Sequence, residues 1–209
     1  MLPKVIQVGQ GLAGYPVGFQ AFFHKMPSRL WFVGQASILD RKLLGIISSR
    51  TTEDGLALKS SRLLRQLGSP NATFIGGWHS PPEQEALEIL LAQPSRIIFC
   101  LAKSLNRFIP SAKVEGLLRQ GRGLLLTHCS PNARRISRDA SLRRNQVVVR
   151  LARGILVLSG PEGSASFQLA QVAIKLGRPV FTPDHPINER LLASGGLPAT
   201  LENIQTAFK

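Results

Sequence analysis

The sequence predicts an α/β domain with a doubly wound, mainly parallel sheet, and three observations carry the prediction. Short apolar runs rich in β-branched residues, Leu or Phe recur along the chain. Segments of helical period lie between them, and such alternation belongs to a parallel sheet covered on both faces. Third, 209 residues with 44% hydrophobic content suffice for the core of one such domain.

The elements follow in order. Val5-Ile6-Gln7-Val8 reads as strand-like and runs into Gly9-Gln10-Gly11-Leu12-Ala13-Gly14, a GxGxxG spacing. A dinucleotide site would need a helix after the last glycine and an acid about 20 residues on. Tyr15-Pro16 follows instead and no such acid is present, so a surface turn is the expectation. Strands are predicted at Leu43–Ile47, Thr73–Ile75, Ile97–Leu101, Leu124–Thr127, Ile155–Leu158 and Val180–Thr182. Leu56–Leu67 sets Leu56, Leu63, Leu64 and Leu67 on one helical side. Pro82–Leu91 opens with Pro followed by acids, as a helix N-terminus favours. Ser164–Leu176 is Ala/Leu/Val/Ile-rich and stops at Gly177. Residues 1–40 are expected to form an introductory segment packed on the core, with residues 41–209 as the single domain proper.

Composition excludes several classes. Cys100 and Cys129 are the only cysteines, which removes a disulfide scaffold and a CxxC zinc module. His24, His79, His128 and His185 show no metal-ligand spacing, so no metal or cofactor is expected. Cys129 beside His128 suggests a thiol nucleophile only until strand geometry sends neighbours to opposite faces; both cysteines read as buried strand-end residues. No stretch reaches the 18 to 20 apolar residues of a membrane span, and no charged segment leads into an apolar run at the start. A soluble, cytoplasmic protein without a membrane partner is the expectation.

Charge is the most informative number. Lys+Arg 26 against Asp+Glu 12 leaves +14, an excess that suits a polyanion such as nucleic acid. From Arg96 to Arg153 there are 13 cations, among them Lys103, Arg107, Arg134, Arg135, Arg138, Arg143 and Arg144, against Glu115 and Asp139 alone. A one-signed cluster is what counterion release from phosphates uses.

Two loops after predicted strands could present N–H groups to an anion: Ser48-Ser49-Arg50-Thr51-Thr52, and Ser159-Gly160-Pro161-Glu162-Gly163-Ser164-Ala165-Ser166. In open α/β sheets the ligand crevice lies beyond the carboxyl ends of the strands. The alternative for each is a βα turn with an N-capping serine. Arg50 is expected at a strand end facing the crevice. Lys103, Arg107 and Phe108 follow the Ile97 strand, and Arg143, Arg144 and Asn145 precede the Ile155 strand. Phe108 would either stack a base or pack in the core. On a helix Arg143 and Arg144 lie about 100° apart, so both cannot face one phosphate.

These residues carry a resemblance. Tyr15-Pro16, Met26-Pro27, Leu30-Trp31 and Gly34 are similar to the opening pattern of the DNA-processing protein A (DprA/Smf) family. Ile46-Ile47-Ser48-Ser49-Arg50 resembles its "IVGSR" loop, Ile75-Gly76-Gly77 its "SGgA", and Leu105-Asn106-Arg107-Phe108-Ile109-Pro110 its "GLDxxYP". Arg144-Asn145-Gln146 stands at "RNR", Val157-Leu158 with Ser164-Ala165-Ser166 at "VVEA…SGS", Gly177-Arg178-Pro179-Val180-Phe181 at "GRxVF", and Asn188 with Gly195-Gly196 at "NxLIxxGA". The order holds over nearly the whole chain.

The resemblance implies an extended Rossmann-like (DprA/LOG-like) domain that binds single-stranded DNA and acts in DNA uptake and natural transformation, recombination or the loading of a RecA-type recombinase. It implies a homodimer through the C-terminal part of the domain; that no enzyme activity is expected rests on the absence of acids at Ser166 and Phe167. Ser48, Ser49, Arg50, Gly76, Gly77, Lys103, Arg107, Phe108, Arg143, Arg144, Asn145, Gly163, Ser164 and Ser166 are the implied DNA- and phosphate-binding positions. Departures mark a divergent single-domain member: Ser48 replaces the loop glycine, Ser104 replaces the glycine before Leu105, and Trp78-His79-Ser80-Pro81-Pro82 stands for "GID…AH".

The same outline is shared by nucleotide-binding sensors and by LOG-like phosphoribohydrolases, whose "PGGxGTxxE" motif needs glutamates. Ser166 and Phe167 stand at those acidic positions, leaving no carboxylate pair for glycosidic cleavage.

Overall fold

The structure is a computed structural model that describes residues 5–9, 29–133 and 136–209. Among these residues nine strands form one sheet: β1 (Ile6–Gly9), β2 (Arg29–Gly34), β3 (Leu44–Ile47), β4 (Thr73–Gly76), β5 (Arg96–Leu101), β6 (Gly123–Thr127), β7 (Gly154–Val157), β8 (Val180–Thr182) and β9 (Leu197–Pro198). Their spatial order is β1-β2-β6-β5-β4-β3-β7-β8-β9. β2 pairs antiparallel with both β1 and β6, and all other pairings are parallel.

All six predicted runs are strands of the parallel portion. β2 was not predicted: its Leu30-Trp31-Phe32-Val33 is an apolar run too, but its antiparallel pairing lies outside the strand-helix alternation that guided the reading. The strand-like Val5–Val8 is β1, displaced by one residue. Of the GxGxxG, only Gly9 falls among the described residues; Tyr15-Pro16, His24 and Met26-Pro27 also lie outside them.

Among the described residues seven α-helices cover the sheet: α1 (Leu56–Leu67), α2 (Pro81–Leu91), α3 (Ala112–Arg119), α4 (Arg138–Leu151), α5 (Ala165–Lys175), α6 (Glu189–Ala193) and α7 (Leu201–Ala207). Side chains alternate along the buried strands, which gives two cores. Ile75, Ile98, Cys100, Leu124, Leu126 and Val157 pack with Val147 and Val148 of α4 and Ala170 and Ala173 of α5. Phe74, Ile97, Phe99, Leu125 and Leu156 pack on the opposite face with Leu64 of α1, Leu90 of α2, Leu117 of α3 and Ile204 of α7. Helices on both faces make the sheet doubly wound.

Local chemistry fixes the helix starts. Ser80, Ser111, Ser137, Ser164 and Thr200 each accept the N–H three residues on, at the heads of α2, α3, α4, α5 and α7. The chain runs from β3 to β4, β5 and β6, then returns through α4 to β7 on the other side of β3. Strand order therefore reverses between β3 and β7, the place where open α/β sheets leave a crevice.

Candidate functional site

At the carboxyl edge the segments after β3, β4, β5 and β6 stand side by side. The N-terminal half of α4 joins them, because α4 carries the chain from the end of β6 back to the start of β7. Arg50, Gly77, Lys103, Arg107, Phe108, Arg143, Arg144 and Asn145 are thereby brought to one edge.

Arg144 is the most constrained of them. It is 8% exposed and lies against the backbone of Gly77, where a Cβ would stand 2.7 Å from its Cζ and 2.8 Å from its Nε. Only glycine leaves room for the guanidinium. Nε donates to Asn145 Oδ1 at 2.9 Å, and no described carboxylate forms an ion pair with Arg144. A buried cation without a counter-ion is unfavourable unless an anion arrives from outside. The neighbouring Arg143 is half-exposed and pairs with Asp139 at 3.0 Å. The two arginines thus diverge as the helical spacing required.

The local field is felt by nearby groups. Burial pushes the His128 imidazole down to about 4, with Arg143 and Arg144 lowering it further and Asp139 opposing them. Burial raises the Cys100 thiol to about 12 against the pull of Arg144, and it also raises Cys129. Cys129 Sγ lies 3.7 Å from His128 Nε2, because the pair sits in the bend after β6 where strand alternation has ended. Cys129 is half-buried at that bend, whereas Cys100 is buried within β5. A raised thiol beside a lowered imidazole is the reverse of an activated nucleophile.

The loop after β3 differs from a free phosphate cradle. Ser48 N–H donates to Glu83 Oε1 at 3.0 Å, Ser49 N–H donates to the Ser159 carbonyl at 2.8 Å, and Ser159 Oγ donates to the Thr51 carbonyl at 2.6 Å. These bonds join the loops on either side of the β3/β7 reversal. The exposed Arg50 places Nη2 3.3 Å from His79 Nε2. Gly76 makes room for Trp78, whose Cε2 would lie 2.9 Å from an added Cβ. Trp78 adopts φ 52° and donates Nε1–H to the Ile98 carbonyl at 3.0 Å.

Across the reversal, the loop after β7 is a βα turn with an N-capping serine. Ser164 Oγ accepts from Phe167 N–H at 3.1 Å and contacts Ser166 Oγ at 2.9 Å. Ser166 is 4% exposed and donates to the Ser159 carbonyl at 2.9 Å. Gly163, at φ 78°, is exposed beside them. The structure therefore sets Gly163, Ser164 and Ser166 across the reversal from the segments after β4 to β6, and the hydroxyls of Ser164 and Ser166 are already occupied.

Phe108 is half-buried against the core, and the Lys103 ammonium stands 5.2 Å from its ring centroid. Ile109, next in the chain, is 92% exposed.

The sequence cluster of cations is not one surface, which corrects the expectation drawn from its one-signed charge. Arg96 opens β5, while Arg122 and Arg153 precede β6 and β7 at the amino edge. There they bind carbonyls: Arg96 that of Pro70, Arg122 those of Gln93 and Ser95, Arg153 that of Ala207. Lys113 and Arg119 pair with Glu88 and Glu115. Each strand-helix unit carries the chain to the opposite edge, so a linear run of charge divides in two. Arg134 and Arg135 lie outside the described residues. A cavity of about 650 Å³, lined by Arg41, Lys42, Phe74, Ile204 and Phe208, also lies at the amino edge, away from Arg144.

Sequence reasoning missed Glu83, His79 and Arg29. Glu83 was readable, since Ser80-x-x-Glu83 before an apolar run is a capping box. Arg29 begins β2, and register places it just beyond Thr127 of β6. Among the described residues no group of His, Cys, Asp and Glu could hold a metal ion, and no helix is long and apolar enough to cross a membrane.

Sheet order and helices on both faces define a Rossmann-like domain, with cations gathered at its carboxyl edge. A sequence model of the DNA recombination-mediator protein A family matches residues 8–200. The chain belongs to that family, and its role lies in DNA processing. No curated protein matches it. DNA processing protein A from Streptococcus pneumoniae superposes with a TM-score of 0.83 at 19% identity, covering 99% of this chain and 75% of that one. DNA processing protein A from Helicobacter pylori, a protein with a single-stranded DNA binding mode, gives 0.78 at 20% identity over 98% and 95%. The molybdenum cofactor binding protein from Rippkaea orientalis gives 0.57 at 12% identity over 81% and 98%. These likenesses show the fold.

Proposed function

We propose that this chain binds single-stranded DNA along the carboxyl edge of β3 to β6, with Arg50, Lys103, Arg107 and Arg144 meeting phosphates. One observation carries the reading: Arg144 is buried over Gly77 with no carboxylate partner, which leaves its charge complementary to an external anion. Arginine suits that anion because its planar fork binds phosphate oxygens bidentately. The Helicobacter pylori relative's single-stranded DNA binding mode supports the same ligand.

Among the described residues Arg50, Arg107, Arg138 and Arg143 are exposed at this edge, and with aromatics at 6% of the chain backbone electrostatics supply most of the affinity. Phe108 is held by the core and contributes through the Lys103 it carries. Gly163, Ser164 and Ser166 contribute by bracing the reversal point. The chain acts by binding without catalysis: Ser166 and Phe167 stand where a phosphoribohydrolase needs acids, and the Ser166 hydroxyl is buried. A cytoplasmic homodimer that delivers single strands to a RecA-type recombinase completes the proposal.

The test is fluorescence anisotropy with single-stranded DNA, duplex DNA, RNA and free nucleotides across a salt series. Preference for single-stranded DNA with a steep salt dependence supports the reading. Tight binding of free nucleotides with weak binding of polymer overturns it in favour of a nucleotide sensor. Light scattering at tens of micromolar tests the dimer, and a monomer mass contradicts it.

A further inference from the structure

We infer that Glu83 is a positioning residue that sets the Arg50–His79 pair for its phosphate, an inference resting on the single-stranded DNA reading above. Glu83 is 7% exposed. Its Oε1 accepts the Ser48 N–H at 3.0 Å, and its Oε2 accepts the N–H groups of His79 at 2.8 Å and Ser80 at 3.4 Å. One carboxylate therefore fastens the loop after β3 to the loop after β4.

The two loops are those that hold the pair. Ser48 lies two residues before Arg50, and His79 is the side chain that Arg50 Nη2 meets at 3.3 Å. A capping box needs only the bond to the N-cap N–H, here that of Ser80. That bond is the longest of the three, and the shorter two reach beyond the helix to both loops. Glu83 thus acts as a tie between loops as well as a cap. The carboxylate is well placed for this at the head of α2, where its two oxygens face all three N–H donors.

Charge and position make opposite forecasts for Glu83→Gln. Removing a negative charge next to a phosphate site strengthens binding if only the field matters. Losing the tie weakens binding, because Arg50 must then be ordered by the strand itself.

The experiment is single-stranded DNA anisotropy across a salt series on the full chain, with Glu83→Gln, Arg50→Ala, their double variant and Ser80→Ala. The expected result is an affinity about fivefold weaker at 0.1 M salt for Glu83→Gln, with the log K against log salt slope reduced by about 0.7, one single-strand phosphate. The double variant should equal Arg50→Ala alone. Ser80→Ala, which removes the N-cap hydroxyl of the same helix, should lower the melting temperature and leave the slope unchanged.

Unchanged or tighter binding by Glu83→Gln, while Arg50→Ala binds weakly, overturns the inference and leaves the DNA reading standing. Additive losses in the double variant also overturn it, since Glu83 would then act on the whole fold. If Arg50→Ala binds like wild type, the reading fails at Arg50 and takes the inference with it. Should Glu83→Gln not fold, Glu83→Asp, which keeps the charge but is one methylene shorter, enters the same cycle with the same expected outcome.

Discussion

The Arg144 guanidinium lies on the backbone of Gly77 so closely that a methyl group at Gly77 would stand 2.7 Å from Cζ. The contact joins the first half of α4 to the end of β4, and it places a buried positive charge at the edge where strand ends converge. Glycine is needed at residue 77 for space alone, since the atoms it would meet are the far end of one side chain.

Gly77→Ala should therefore displace Arg144 without unfolding the domain. We expect single-stranded DNA affinity to fall about fivefold at 0.1 M salt, with a stability change within about 1 kcal/mol. Gly34→Ala is the contrast. Its Cβ would lie 2.4 Å from the Gly123 carbonyl oxygen at φ 116°, so backbone must move and the urea midpoint should drop sharply.

Asn188 should be a stability residue. It is fully buried; its Nδ2 donates to the Leu158 and Pro183 carbonyls at 3.2 and 3.1 Å, and its Oδ1 accepts Gly160 N–H at 2.8 Å. Asn188→Ala leaves those backbone groups unpaired and should cost about 2 to 4 kcal/mol in urea unfolding. Loss of less than about 1 kcal/mol would contradict the bracing role given to these loops.

His128 sets a pH dependence whose sign follows from its lowered value. The unfolded imidazole binds a proton near 6.5, the folded one only near 4. Its contribution to stability is therefore complete above 6.5 and is lost as pH falls from 6.5 to about 4, by up to about 3 kcal/mol. Urea midpoints at pH 7 and 4.5 should separate by less in His128→Asn than in wild type. An equal separation would refute the assignment.

Much of the architecture is legible in the sequence because parallel strands buried on both faces announce themselves as apolar runs. The six central strands and the helices at Leu56, Pro82 and Ser164 follow from period and capping alone. β2 escapes because the same kind of apolar run serves an antiparallel partner there. At the site, Arg143 and Arg144 diverge as helical geometry dictates, and Arg50 and Lys103 reach the expected edge. What linear reading could not supply is which edge each cation occupies, so Arg96, Arg122 and Arg153 counted with Arg144 until the fold parted them. Nor could it show that the donors of Ser48 and Ser49 are occupied by Glu83 and Ser159, since both bonds join residues far apart in sequence.

The division of charge between the two edges gives the most direct test of the central claim. Log K against log salt for single-stranded DNA is measured for wild type and for Arg50→Ala, Arg107→Ala, Arg144→Ala and Arg153→Ala, with Arg62→Ala and Arg65→Ala on α1 as further controls. The first three should each weaken binding of all sequences alike and reduce the slope by about 0.7. Arg153, a member of the same sequence cluster at the opposite edge, should leave the slope unchanged, as should Arg62 and Arg65. Equal slope losses in both sets would mean that the +14 charge acts as a diffuse cloud, and would contradict an organised site at the carboxyl edge.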